Sequence, residues 1–138
     1  MAITASGKSR RGVSTLASST EGFADGAGAA AQFSFPRDVA VDSSGNAYVG
    51  DTNNHLIRKI TPADRIEDRV VSTLAGSGTE GFANGTGNTA QFEDPYDLAV
   101  DSSGNIYVTD SDNHRIRKIE YKVPWQRRDG SSCQCDIF

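Results

Sequence analysis

Short runs in which apolar residues alternate with small or polar ones recur along the chain, divided by glycine, asparagine and aspartate, and none keeps a helical period. DVAVD (residues 38–42), NAYVGD (46–51) and HLIRKI (55–60) each have the length and the β-branched or aromatic content of a strand, and VVSTLA (70–75) reads as a fourth. DLAVD (97–101), NIYVTD (105–110) and HRIRKI (114–119) repeat the first three, and VSTLA (13–17) repeats the fourth. In the first strand of each trio Val39 and Val41, or Leu98 and Val100, alternate with alanine and acid, which predicts tighter packing on one face.

The likeness runs further upstream. Every position from Gly22 to Ile60 recurs 59 residues later, and 26 of the 39 aligned pairs are identical. Self-similarity at such a period points to a propeller, a solenoid or an array, in which one unit cannot bury its own apolar face and stacks on another. The order of strands is an outer strand, a trio with its outer strand, and a trio without one. That is two four-stranded blades' worth of strands in permuted order, and two blades cannot curve far enough for residues 13–17 to reach the trio 97–119 of their own chain.

The connections carry their own chemistry. DSSGN (42–46 and 101–105) suits a hairpin in which the aspartate caps the turn and the glycine takes a left-handed conformation. The glycine-rich segments 21–35 and 80–94 predict long ordered loops, because Phe23, Phe33, Phe82 and Phe92 recur in them and aromatic side chains of that size anchor. These segments lack the lysine and the following helix of a phosphate-binding loop. Asp51 and Asp110 stand four residues before His55 and His114, a spacing open to an acid–base dyad or a metal pair. Because Asp51, Asn54 and His55 recur as Asp110, Asn113 and His114, a structural role is the better reading: acid and asparagine satisfy backbone donors of the turn, and the histidine packs with one nitrogen bonded to the neighbouring unit. The charges of IRKI, including Arg58 and Arg117, read as protection of a strand near the outside of the sheet.

Composition narrows the possible partners. A net charge of −4 and a pI near 5.0 argue against a broad electrostatic grip on nucleic acid, and no stretch approaches a membrane span. Residues 1–12 read as a flexible terminus without the apolar core of a secretory leader, so the chain as written is expected in the cytoplasm, or outside the cell if it is a mature form or fragment. Cys133 and Cys135 fall in the non-repeat tail 120–138, where they cannot staple the repeats, and two thiols are too few for a structural zinc site. The last four residues match a prenylation box only loosely.

DVAVDSSGNAYVGDTNNHLIRKI, with its literal Asn54-His55-Leu56, resembles the NHL-repeat family of β-propellers, and Asn113-His114-Arg115 is similar to a common variant of that triplet. The resemblance covers residues 13–119. It implies an all-β fold of four-stranded antiparallel blades in a ring, usually of six, that acts as an interaction platform; a minority of such proteins are enzymes that use converging histidines and acids. No separate catalytic set is visible here, and neither cofactor nor metal is expected. The expected role is a non-enzymatic binding scaffold for protein or small ligands, with a self-assembling structural protein and a metal-dependent lyase or hydrolase as alternatives. Candidates for specificity are the residues that differ between the copies near the strand-two-to-strand-three turn: Phe35 and Asp94, Arg37 and Tyr96, Asn53 and Asp112, Leu56 and Arg115. Unpaired blade faces predict head-to-tail homo-oligomers, with residues 13–17 of one subunit completing the second blade of the next, as a trimeric ring or a filament.

Overall fold

The computed structural model describes residues 11–18 and 20–121. It contains two antiparallel sheets built like blades. The first comprises β1 (Gly26–Ala27), β2 (Pro36–Val41), β3 (Ala47–Asp51), β4 (Leu56–Ile60) and β5 (Val70–Ala75), in the order β1-β5-β4-β3-β2; the second comprises β6 (Pro95–Val100), β7 (Ile106–Asp110) and β8 (Arg115–Ile119), in the order β6-β7-β8. Both trios and the strand 70–75 stand where the alternation placed them, with ends shifted by two residues or fewer.

Two strand expectations are corrected. Residues 13–17 form no strand, because β5 takes the outer edge of β4 and β1 takes the outer edge of β5, leaving this copy of VSTLA no ladder to join. The second blade shows three strands among the described residues, the trio without an outer strand that the order along the chain predicts. The two-residue β1 comes from the glycine-rich segment. Expectations about the tail 122–138, including Cys133, Cys135 and the prenylation box, lie outside the described residues.

The hairpin turns form as their sequence demands. The Asp42 carboxylate accepts the backbone N–H of Ser44 and of Asn46, the Asn46 side chain and the Tyr48 hydroxyl, and Gly45 is left-handed at φ 86°. Asp101 repeats the set with Ser103, Asn105 and Tyr107, around Gly104 at φ 82°. At Asp42 burial pushes the pKa up, but the bonds from Asn46, Tyr48 and Ser44 outweigh it and hold the carboxyl below its ordinary value. The Asn105 side chain leads the same lowering at Asp101. A carboxylate depressed in the folded state stabilises the fold above its unfolded pKa of about 4, and that stabilisation is lost as pH falls through the folded value. Urea unfolding should therefore give a stability that declines below about pH 4. The Asp42→Asn/Asp101→Asn double variant should show a shallower decline, and an unchanged slope would remove these turns as its source.

The two blades face each other across one apolar core. Tyr48, Ile57 and Ala75 on the first blade pack with Ala90, Phe92, Ile106 and Val108 on the second, and Leu74, Leu98, Val100 and Ile119 border them. A second cluster, Ala31, Phe33, Ala47, Val49, Ile60 and Val71, lies on the opposite face of the first blade, with Ala17 packed against it. The expected one-sided packing of the first strand holds for β6, whose Leu98 and Val100 border the inter-blade core. It fails for β2, whose Val39 and Val41 stand exposed, with no described residue packed over them as the inter-blade core packs over Leu98 and Val100.

Candidate functional site

β2 and β6 begin, and β3 and β7 end, at one end of the sheets, where Pro36 pairs with Asp51 and Pro95 with Asp110. The short 3-10 turns Thr52–Asn54 and Ser111–Asn113 and the glycine-rich loops gather at this end. The loops are held down from inside. Asp51 accepts the Ser34 backbone N–H at 2.7 Å through one oxygen, and through the other the Asn54 amide at 2.8 Å and an Arg58 nitrogen at 2.7 Å. The Arg58 guanidinium, wholly buried, also donates to the carbonyls of Gln32 and Ala24 and to the Asp25 carboxylate, and lies 5.0 and 4.8 Å from the ring centres of Phe23 and Phe33. Asn54 spans from Asp51 to the Gly22 carbonyl. The second blade repeats the set through Asp110, Asn113 and Arg117, with Asn84 in the place of Asp25.

This corrects the reading of IRKI. Arg58 and Arg117 guard no edge; their forked donors gather two loop carbonyls and a buried carboxylate each, which a solvent-facing strand position would never require. The recurrence of Arg seven residues after Asp was the signal available in the sequence. The backbone donor satisfied by Asp51 also lies in the segment entering β2, not in the turn itself. Gly22 and Gly81, at φ 149° and 150°, let the loop cross closely over Gln32 and Gln91, where a β-carbon would meet the glutamine amide.

The spacing of Asp51 and His55 does not make a dyad. Both oxygens of Asp51 are occupied by Ser34, Asn54 and Arg58, while His55 turns to the neighbouring repeat and its Nδ1 accepts the Asp94 N–H at 3.2 Å. Its Nδ1 also lies 3.5 Å from the Asp94 carboxylate, and its Nε2 lies 3.9 Å from that of Glu80. His114 is exposed at the equivalent place on the second blade. Among the described residues no three His, Cys, Asp or Glu side chains group as a metal site would need.

A model of the NHL repeat matches residues 33–60 and 92–119, the stretches that hold both Asp–Asn–Arg clusters. The two units are NHL repeats. The chain is 38% identical over 96 residues to the chloroplastic protein SUPPRESSOR OF QUENCHING 1 of Arabidopsis thaliana, covering 70% of this chain and 9% of that one. It is 33% identical over 105 residues to NHL repeat-containing protein 2 of Bos taurus, covering 74% of this chain and 14% of the other. A crystal structure of an auxiliary nutrient binding protein from Bacteroides thetaiotaomicron superposes with a TM-score of 0.63 at 29% identity, over 74% of this chain and 26% of that one. The chain thus spans about a quarter or less of the length of these relatives.

Within these NHL repeats the candidate specificity residues fall unevenly. Arg37 and Tyr96, from equivalent positions in the two blades, meet: the guanidinium lies 5.1 Å from the ring centre and donates to the phenol oxygen at 3.3 Å, and both are exposed. Phe35, Asn53, Asp112 and Arg115 are exposed and Asp94 is half-buried beside His55, while Arg115 stacks over Phe82 at 3.8 Å. Leu56 is 3% exposed, at the bottom of a cleft it lines with Phe23, Asn54 and Thr73. Phe35 and Asp94 share a left-handed backbone at φ 48° and 51°, each just before a proline. Backbone strain of that kind, maintained in both copies, fixes where the two differing side chains project.

Proposed function

We propose that the two NHL repeats form a non-enzymatic binding scaffold whose recognition surface is the loop-bearing end of the blades, for protein or small ligands. The observation that carries this reading is the Arg37–Tyr96 pair: the two blades each present a different side chain at one equivalent position, and the two join into a single exposed cationic–aromatic surface across the blade boundary. A flat aromatic ring beside a guanidinium fork suits stacking and bidentate hydrogen bonding, the combination that dominates recognition energies. The constant Asp51–Arg58 and Asp110–Arg117 pairs are meanwhile engaged inside the fold, which leaves them no free chemistry. The similar structure named as an auxiliary nutrient binding protein is in keeping with a binding role.

Thermal-shift screening against a panel of oligosaccharides and short peptides tests the proposal. Compounds that raise the midpoint of the wild-type chain should bind the Arg37→Ala/Tyr96→Ala variant at least about tenfold more weakly, while the midpoint without ligand stays put because both side chains lie outside the core. Hits retained at full affinity remove this end from the reading. A panel without hits favours the second reading, a self-assembling structural protein, which the exposed faces described next support independently. A metal-dependent lyase or hydrolase has no comparable observation behind it, since His55 is engaged with the next blade.

A further inference from the structure

The contact between the two blades is a lock whose two halves appear again at the far ends of the molecule. On one side stand Tyr48 and Ile57, with Thr52 donating to the Pro95 carbonyl at 2.7 Å, Asp38 accepting the Leu98 N–H at 2.7 Å and His55 accepting the Asp94 N–H at 3.2 Å. The same half recurs on the outer face of the second blade as Tyr107, Ile116, Ser111, Asp97 and His114. There Ile116 is 71% exposed, against 0% for Ile57. The other half, Phe92 with Ile106 and Val108, recurs on the outer face of the first blade as Phe33, Ala47 and Val49, beside an open groove of about 360 Å3 with Val39 on its rim.

Residues 13–17 say what belongs in that groove. In the inter-blade core Ala75, the last residue of an outer strand, packs with Ala90 and Phe92; Ala17, the last residue of the equivalent VSTLA, packs with the cluster of Ala31 and Phe33. Leu16 lines the groove, its carbonyl accepts an Arg69 nitrogen, and Val13 is fully exposed. The segment is already anchored at the place where the outer strand of a preceding blade would end, but it has no strand to pair with. β8 has the converse deficiency: it pairs with β7 alone among the described residues.

We propose that a second copy of this chain docks head to tail, the outer face of its second blade on the outer face of this first blade, with residues 13–17 adding to its β8 as the missing fourth strand. The pairing of β4 with β5 fixes the register. Ile57 opposite Ala75, Arg58 opposite Thr73, Lys59 opposite Ser72 and Ile60 opposite Val71 translate into Ile116 opposite Ala17, Arg117 opposite Thr15, Lys118 opposite Ser14 and Ile119 opposite Val13 between copies. His114 then receives the Phe35 N–H, as His55 receives that of Asp94. This inference does not depend on the ligand reading above.

One position sets the strength of the contact. A β-carbon at Gly50 would lie 3.1 Å from the Tyr96 carbonyl oxygen and 3.3 Å from that of Pro95, so the absent side chain lets the second blade approach. The second blade carries Thr109 at that position, its hydroxyl accepting the Asp97 N–H. A docking copy must therefore stand off by a fraction of an ångström, and its hold is weaker than the one within the chain.

Sedimentation equilibrium of the full chain at micromolar concentration reads the outcome. The wild type should form closed rings or filaments of several copies. Ile116→Arg should sediment as a monomer, with the thermal midpoint of the wild type diluted to a single copy, its side chain being solvent-facing in one copy. Thr109→Gly should tighten association about tenfold. In a Cys133→Ser/Cys135→Ser background, Ser14→Cys/Lys118→Cys should yield disulfide-linked multimers on mild oxidation, and shifting one cysteine by a residue should abolish them. A monomeric wild type, its free edge met by residues 122–138 or by solvent, overturns the proposal. So does an Ile116→Arg variant that keeps the wild-type mass.

Discussion

Replacing Arg58 with alanine should destabilise the chain by about 3–5 kcal/mol, the range for breaking a buried ion pair from one side. The estimate follows from what remains. Asp51 would be left at a wholly buried site with only Ser34 and Asn54 as donors, and the carbonyls of Gln32 and Ala24 would lose their partner. Arg58→Lys should recover little, since one ammonium cannot reach acceptors arranged around a planar fork. Asp25→Ala provides the contrast: its carboxylate is partly exposed and the second repeat has the neutral Asn84 in its place, so the cost should stay within about 1 kcal/mol. Urea denaturation of the three variants checks the order. A loss at Arg58→Ala no larger than at Asp25→Ala would show that the loops are held by something else.

Arg58 also marks where the sequence stops being readable. Strand identity came through clearly because each blade strand carries its own local signature: alternation in β2 and β6, Asp-Ser-Ser-Gly-Asn before β3 and β7, and a branched run in β5. The fate of a side chain depends instead on what lies beyond the sheet, and that is not local. IRKI looks amphipathic as a strand, yet the glycine-rich loop folds over it and turns its arginine into the largest fully buried side chain of the blade. β3 shows the same effect, with all five residues buried although its pattern includes glycine and aspartate, because a loop covers one face and a blade the other. Val39 and Val41 err in the opposite direction, exposed despite a core-like pattern. The surface end of the site was half legible. Divergence between repeats pointed to Arg37 and Tyr96, but only their arrangement in space shows that they touch.

Phe92→Ala should cost about 3–5 kcal/mol, as large-to-small changes of an aromatic residue in a closed core do. Phe92 is 2% exposed, stacks under the Arg117 guanidinium at 4.8 Å and sits against Ala75 and Ile57 of the other blade, so its removal opens a void that neither sheet can collapse into. Phe33 is the same residue in the first repeat, with the same arginine stacked on it at 4.8 Å, but it borders the open groove and water can enter the space left behind. At concentrations where the chain is a single copy, Phe33→Ala should therefore cost distinctly less than Phe92→Ala. If a second copy occupies the groove, raising the protein concentration should stabilise the wild type by mass action while Phe33→Ala gains less, so the gap between wild type and Phe33→Ala widens toward the cost of Phe92→Ala. The two phenylalanines thus act as matched reporters, one on a face that is always covered and one on a face whose cover depends on concentration. Thermal midpoints of both variants across a dilution series measure the difference, and parallel curves at every concentration would mean that nothing ever fills the groove.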